Sequence, residues 1–319
     1  MPDLSVLLVT YNSGRHIDAC LGTLRLALQG LDGEILVYDN GSTDDTLDRL
    51  AHHAGVQVQA GGANLGFAAA CNVLGQRSTG RYLWFLNPDT TVDPAAARQL
   101  LAAAGRWPNA GLYGARTLTP TGDTVLASAQ GRMSLWSLVC FATGLSTAFP
   151  GRRWSDPESL PGWDRTTSRP VPALSGGALM LSREAWARLG GFDTRFFMYA
   201  EDIDLCHRAR EAGFSPFFVA EAVVAHAVGG SSSAGGKLVM LHRGKVSYVR
   251  KLGPRWRAGF ATRLLLAGVA LRAAAHRIGL FPDGPGRSPG SAWQEAWRRR
   301  GEWRRGWDGA ARGAPDASG

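Results

Sequence analysis

Four β-rich runs separated by stretches of helical spacing fill the first hundred residues, and this alternation constrains the fold more than any other feature of the chain. The first run, LSVLLVTY, is apolar almost without interruption, as a strand buried on both faces of a parallel sheet must be. GRHIDACLGTLRLAL follows, with Ile17, Cys20, Leu21, Leu24 and Leu28 on one side of a predicted helix. EILVYD is a second strand. STDDTLDRLAHHAG reads as a second helix, with hydroxyl and Asp cap candidates at its start and Gly55 at its end. VQVQAG reads as a short third strand, GFAAACNVLGQRS as a small-residue helix and RYLWFLN as a fourth strand. Asp93 and Pro94 predict another helix start, since proline is tolerated at the first helical position. A βαβαβαβ order of this kind predicts an open α/β, Rossmann-like sheet with ligands at the carboxyl ends of its strands.

Beyond that alternation the pattern changes twice. From about residue 118 to 172 periodicity is poor and Gly, Ser, Pro and Trp are frequent, which predicts long loops with short elements, often binding surfaces. Order returns with ALMLS, REAWARLGGFD, AEDIDLCHRAREAGF and SPFFVAEAVVAHAVGG. The third section, from Lys237 on, carries 17 Lys+Arg against 5 Asp+Glu, whereas residues 1–236 carry 18 against 21. A slightly acidic body thus bears a basic helical tail, suited to anionic lipid, nucleic acid or a phosphorylated substrate. Its longest uncharged stretch, Leu264 to Leu271, falls far short of the roughly 20 residues that span a bilayer. Arg263 and Arg272 fall on opposite sides of that helical pattern. The last stretch pairs Trp with Arg clusters, as an interfacial segment would, although a solvated disordered tail fits equally. Four scattered cysteines (20, 71, 140 and 206) without C-x-x-C spacing favour a reducing compartment over a disulfide framework or a zinc site. Met1 runs directly into PDLSVLLVTYN, so no signal peptide is expected.

Candidate chemistry sits at the ends of these runs. Asp39 closes the second strand, where a carboxylate beside a nucleotide crevice accepts hydrogen bonds from base or ribose; it could equally cap its own turn. TYNSG takes the place of a G-x-G-x-x-G after the first strand, which disfavours a dinucleotide fingerprint. GANLGFAAACN offers backbone N–H groups at a helix entrance, a weak signal alone. In FLNPDT, Asp89 could hold Mg²⁺ or Mn²⁺ against a diphosphate, or simply belong to a common turn. GGFDTRFFMYAEDIDL brings an aromatic loop to the start of a helix that opens with Glu201 and Asp202, where the helix dipole favours anionic charge. One of these is a candidate general base; Asp204, two residues on, points elsewhere and suits a salt bridge. His226 ends an apolar run, as a packed histidine or as a metal ligand converging with Asp89.

Together SVLLVTYNS, ILVYDNGSTDDT, NLGFAAACN, YLWFLNPDT, SGGALMLSREAWARLGGFDTRFFMYAEDIDLCHRAREAGF and VVAHAVGGSS resemble, in order and over roughly residues 4–233, the family-2 glycosyltransferases of GT-A fold, especially their rhamnosyltransferase-like branch. The resemblance implies a mixed, mostly parallel sheet flanked by helices. Residues 1–236 would be the catalytic domain, about 1–115 its nucleotide-sugar half and 116–236 its acceptor half; residues 237–319 match no motif of the family and are expected, from their own Trp/Arg-rich pattern, to be a partly disordered helical extension. It also implies roles: Thr10, Tyr11, Asn12 and Asp39 hold base and ribose, and Asn64 and Gly66 lie beside the nucleotide-sugar. Asn87 and Asp89 match the family's Asp-x-Asp, with Asn87 in place of the first Asp. Asp202 matches the catalytic base and Glu201 its neighbour, His226 a metal ligand of some relatives, and Gly176 and Gly177 an acceptor-side loop. Cys71 stands before Asn72 where many members place Arg.

The implied reaction is inverting transfer of a sugar from a nucleotide-diphosphate donor, dTDP-rhamnose first, with other UDP- or GDP-sugars such as those of galactofuranose or glucose as alternatives. The implied cofactor is Mg²⁺ or Mn²⁺. The implied acceptor is a cell-surface or polyprenyl-diphosphate-linked glycan, met at the anionic cytoplasmic face of a membrane; no nucleic acid is expected. Two rivals fit less well. A sugar nucleotidyltransferase needs an Arg-bearing Gly-rich loop that TYNSG lacks, and a non-catalytic binder leaves the carboxylates at the strand ends without a task.

Overall fold

A computed structural model describes residues 1–226, 233–279 and 289–307. The amino-terminal half runs β1 (Leu4–Thr10), α1 (Gly14–Ala27), β2 (Gly33–Asp39), α2 (Thr46–Ala51), β3 (Val56–Ala60), α3 (Phe67–Arg77), β4 (Tyr82–Leu86), β5 (Thr90–Val92), α4 (Ala96–Arg106) and β6 (Leu112–Leu118). A less regular stretch follows, with β7 (Ala129–Gln130), α5 (Leu135–Ala142), α6 (Leu145–Ala148), β8 (Arg169–Pro170) and β9 (Ala173–Leu174). Then come β10 (Ala178–Ser182), α7 (Arg183–Leu189), α8 (Glu201–Glu211), β11 (Phe217–His226), α9 (Ala234–Lys251), α10 (Arg255–Arg277), α11 (Gly290–Arg298) and α12 (Arg300–Trp303).

The main sheet has the order β3-β2-β1-β4-β10-β6-β11-β5, with β8 also on β11. Strands β1, β2, β3, β4, β6 and β11 run one way, and β5, β8 and β10 run against them. The predicted α/β sheet is therefore present, mixed and mostly parallel. Its apolar strands are explained by burial on both faces. Along β1, Leu4, Val6 and Leu8 pack on α1 and α4, while Leu7 and Val9 pack on α3, α7 and α8.

Several predicted boundaries move for local reasons. Helix α2 starts only at Thr46, because the Asp44 carboxylate is committed to the preceding turn. It accepts from the Thr46 amide and hydroxyl at 3.1 and 2.5 Å and from the Gly14 amide at 3.1 Å. Helix α4 starts at Ala96 instead of Pro94, because Asp93 folds its carboxylate back onto the Ala95 amide at 2.8 Å. The space before it holds β5, a strand too short to show as a run. The aperiodic middle is tied together by Arg165, a buried residue with φ of 64°. Its guanidinium donates to the carbonyls of Trp163, Leu126, Ala129 and Ser159.

The C-terminal helices make a second core with α5, around Leu138, Leu238, Val246, Leu265, Val269 and Trp303. The tail tryptophans thus serve packing, not the interfacial or solvated roles that their sequence pattern allowed. Trp303 is fully buried and donates to the Ala296 carbonyl at 2.8 Å. Trp307 donates to the Met198 carbonyl at 3.2 Å, with the Arg243 guanidinium 4.1 Å from its ring centre. Residues 308–319 lie outside the described residues. Helix α10 runs unbroken through the segment that the arginines divided in sequence, and by length and composition alone it could cross a membrane. One side of it is packed on α5, α9 and α11, with Arg272 buried and donating to the Phe141 carbonyl and the Thr147 hydroxyl, both at 2.7 Å. Lys251 at the end of α9 reaches the loop before α8 and α8 itself, pairing with Asp193 at 2.8 Å and buried Asp204 at 2.5 Å. Asp204 also accepts from Arg208 at 2.8 Å, so it is the salt-bridged carboxylate that its position suggested.

Candidate functional site

A cavity of about 200 Å³ opens at the carboxyl ends of β1, β2 and β4. Five predicted residues line it: Tyr11, Asn12, Asn64, Asn87 and Asp89. Arg15, His16, Asn40, Phe67 and Met198 join them.

The loops that form it are laced to one another. Asn12 takes a φ of 51°, a left-handed conformation that Asn tolerates. That turn lets its amide donate to the Ser42 hydroxyl at 2.8 Å and its side-chain oxygen accept from the Thr43 amide at 2.9 Å. Asp39 lies beneath, fully buried. Its two oxygens are taken by the Thr10 hydroxyl, the Ser42 hydroxyl and the amides of Gly41 and Ser42. In this structure Thr10 and Asp39 shape the turn and do not line the cavity. Asn40, next along, accepts from the Leu65 amide at 2.8 Å. Gly66 has no room for a side chain, since a Cβ there would sit 2.4 Å from the Phe197 carbonyl oxygen. Phe67 then donates its amide to that same carbonyl at 2.7 Å, which pins the 64–67 loop to the segment leading into α8.

Asp89 and His226 are brought together by strand register. In the antiparallel β11–β5 pair, His226 stands opposite Thr90, one residue beyond Asp89. The His226 Nε2 lies 3.2 Å from Asp89 Oδ1, which has no hydrogen-bond partner among the described residues. Among the described residues no cluster of three or more His, Cys, Asp or Glu could enclose a metal. One carboxylate and one imidazole nevertheless fit a divalent ion whose remaining positions are filled by phosphate oxygens and water. Residues 227–232, the loop that follows His226, lie outside the described residues.

The second half of the site is reached over two glycines. The Gly176 amide donates to Asp202 Oδ2 at 2.9 Å, and the Asn87 amide donates to the Gly177 carbonyl at 2.9 Å. One short loop therefore fixes both Asp202 and the strand end that bears Asn87 and Asp89. A Cβ on Gly177 would come within 3.0 Å of the Asn87 side chain, a close approach that favours glycine there. Tyr199 and Ala200 enter α8 with φ of 66° and 70°. Two consecutive left-handed non-glycine residues are strained, and such strain collects where a side chain must be aimed.

Burial pushes the Asp202 carboxyl above its ordinary 3.8, against the Gly176 and Ile203 amides that pull it down. Burial, and then the Asp202 charge, push Glu201 well above its own ordinary value. Glu201 is almost wholly enclosed, with Oε2 unpaired, and its charge is felt by buried Cys71. Asp202 is the less deeply buried member of the pair. Burial and the charges of Glu201, Asp89 and Asp202 raise the Tyr199 hydroxyl to about 12. That tyrosine, uncharged at neutral pH, thus stands among all three carboxylates. No periodicity marked it out in sequence.

The chain is similar to known proteins in sequence and in fold. Residues 5–185 match the model of glycosyl transferase family 2, and residues 165–226 match one described as the N-terminal domain of galactosyltransferase. The N-acetylglucosaminyl-diphospho-decaprenol L-rhamnosyltransferase of Mycobacterium tuberculosis is 35% identical over 238 residues, 70% of this chain and 75% of that protein. The crystal structure of GalNAc-T7 with UDP, GalNAc and Mn²⁺ superposes with a TM-score of 0.58 at 16% identity over 84% of the chain, which spans about half (51%) of that structure. S. aureus TarS superposes with a TM-score of 0.50 at 16% identity, covering 83% of this chain and 43% of its own. At such identities the structural likeness speaks for the fold alone.

Proposed function

The chain belongs to glycosyl transferase family 2 and has the GT-A fold, and from that premise we propose an inverting transferase that moves rhamnose from dTDP-rhamnose onto a hydroxyl of a diphosphate-linked lipid glycan. The observation that carries this reading is the Gly176–Gly177 loop, which holds a carboxylate of raised pKa, Asp202, beside the strand end that bears Asn87 and Asp89. The named substrate of the mycobacterial relative supports the choice of sugar and acceptor.

In the proposed step the acceptor hydroxyl gives its proton to Asp202 as its oxygen bonds to the anomeric carbon. The bond from that carbon to the diphosphate breaks on the opposite face, so the anomeric configuration inverts. Tyr11, Asn12 and Asn64 hold the nucleotide-sugar, and Asp39 with Thr10 supports the turn beneath it. Arg15 and the start of α1 lie where the diphosphate charge needs compensation. Asp89 and His226 would hold a divalent ion, which supplies charge neutralisation to the leaving diphosphate. Incubation with dTDP-rhamnose and a prenyl-diphosphate-linked N-acetylglucosamine should release dTDP and form the disaccharide. Faster turnover of UDP- or GDP-sugars would sink the choice of donor.

We place residues 1–236 as the catalytic unit and 237–319 as an extension that meets the cytoplasmic face of a membrane. Trp256 and Phe260, 72% and 45% exposed, flank Arg255, Arg257 and Arg263 on α10. Aromatic side chains among cations suit an anionic bilayer surface. Trp256→Ser with Phe260→Ser should lower sedimentation with phosphatidylglycerol vesicles several-fold; unchanged sedimentation would move the contact elsewhere.

A further inference from the structure

A second cavity, of about 420 Å³, lies between the start of α5, the second half of α8, the end of α9 and the start of α10. Three arginines reach it from three different elements: Arg132 ahead of α5, Arg210 on α8 and Arg257 on α10. None of the three makes an ion pair among the described residues. Among the described residues Arg210 donates only to the Cys206 carbonyl at 3.3 Å and meets the His207 ring at 3.4 Å. The one carboxylate at the rim, Glu211, is exposed and turned to His207 at 3.2 Å. Burial, and then the nearby Arg132 guanidinium, lower the pKa of Arg210 from its usual value. Like charges are thus gathered in a recess whose one lining carboxylate, Glu211, pairs with His207. Ser134, His207 and Tyr248 add polar atoms to the wall, and Met133, Leu135, Leu138, Val249, Leu252 and Ala261 make it otherwise apolar.

We infer that this cavity receives the diphosphate and first prenyl units of the lipid-linked acceptor. The inference rests on the function proposed above. Placement supports it. Arg210 follows Asp202 on the same helix by eight residues, about 12 Å along its axis at 1.5 Å per residue, and helical side chains lean back toward the amino terminus. Arg132 follows β7, which pairs with β9 just before the Gly176 loop that holds Asp202. A sugar whose hydroxyl meets Asp202 therefore projects its diphosphate toward these arginines. Guanidinium groups suit that role by bidentate pairing with phosphate oxygens. The chain then leaves past Leu252, toward exposed Trp256 and Phe260.

The test uses the full chain with Arg132→Gln and Arg257→Gln together, both at exposed positions that leave folding undisturbed. KM for the prenyl-diphosphate-linked sugar should rise about 10–100-fold, the loss of one or two charge-assisted hydrogen bonds, while uncoupled hydrolysis of the nucleotide-sugar stays the same. Calorimetric binding of farnesyl diphosphate should weaken by a similar factor, and farnesol should bind neither protein measurably. Equal binding of farnesyl diphosphate by variant and wild type would overturn the inference, as would its full displacement from wild type by inorganic pyrophosphate or phosphatidylglycerol vesicles at equal phosphate concentration. If instead wild type transfers no sugar to any diphosphate-linked acceptor, the function fails, and farnesyl diphosphate binding still decides the cavity on its own.

Discussion

Asp202→Asn should lower sugar transfer by about 10²–10⁴-fold, the usual contribution of a general base, while donor affinity remains within about two-fold of wild type. The expectation follows from position. Asp202 is the partly exposed carboxylate at the entrance of α8, fixed by the Gly176 amide, and it does not line the cavity at the ends of β1, β2 and β4. Asparagine keeps the size of the side chain and its acceptor oxygen for Gly176, so the loop stays in place. What is lost is the capacity to take a proton. Near-normal turnover in this variant would assign the base elsewhere.

The neighbouring Glu201→Gln should behave in the opposite way and keep most of the activity. Glu201 is the more deeply enclosed of the pair, burial and the Asp202 charge raise its pKa well above the ordinary value, and glutamine keeps its shape without a charge to bury. The acid limb of kcat/KM should lie above pH 3.8, the ordinary aspartate value, in both wild type and Glu201→Gln, with activity lost as pH falls through it. Stability gives an independent reading. A carboxyl whose pKa is raised by folding opposes folding above its unfolded value of 4.5 and does not below it. Glu201→Gln should therefore be as stable as wild type or more so at pH 7, with the difference vanishing in acid.

The parts of the fold that were legible in sequence are those whose physics is local. Strands β1, β2 and β4 announced themselves because burial on both faces demands a continuous apolar run. Strand β5 did not, since three residues carry no period. Its importance is wholly relational: pairing with β11 is what sets His226 beside Asp89. The same limit applies to Asp39, whose spacing allowed both a nucleotide contact and a turn; only the four donors around it show how the turn engages both oxygens. Tyr199 and the cavity arginines were hidden for the same reason, because each acquires meaning from residues far away in the chain. The tail misled in a different manner. Trp beside Arg suits an interface, but Trp303 and Trp307 are consumed by packing on α9, α11 and the loop before α8, and the exposed aromatics lie instead on α10.

Asp89→Ala should abolish the metal-dependent part of donor binding. Removing an outer-shell partner of a bound metal typically costs 10–100-fold in affinity, and losing the sole carboxylate of a two-residue donor set should cost at least that much. The readout is calorimetric titration of dTDP with and without Mn²⁺, which requires no turnover. In wild type the metal should tighten dTDP binding; in Asp89→Ala the two titrations should coincide. His226→Ala should show a smaller loss, because water can replace a neutral nitrogen ligand but not the charge of a carboxylate. His226→Asn provides a sharper comparison, since it keeps a polar side chain opposite Thr90 and so preserves the β5–β11 register. If His226 only orients Asp89, the asparagine variant should bind as wild type does. If it donates to the ion, Mn²⁺ affinity should fall in both His226 variants, and the chain's missing first Asp at position 87 is then compensated by a residue at the end of β11.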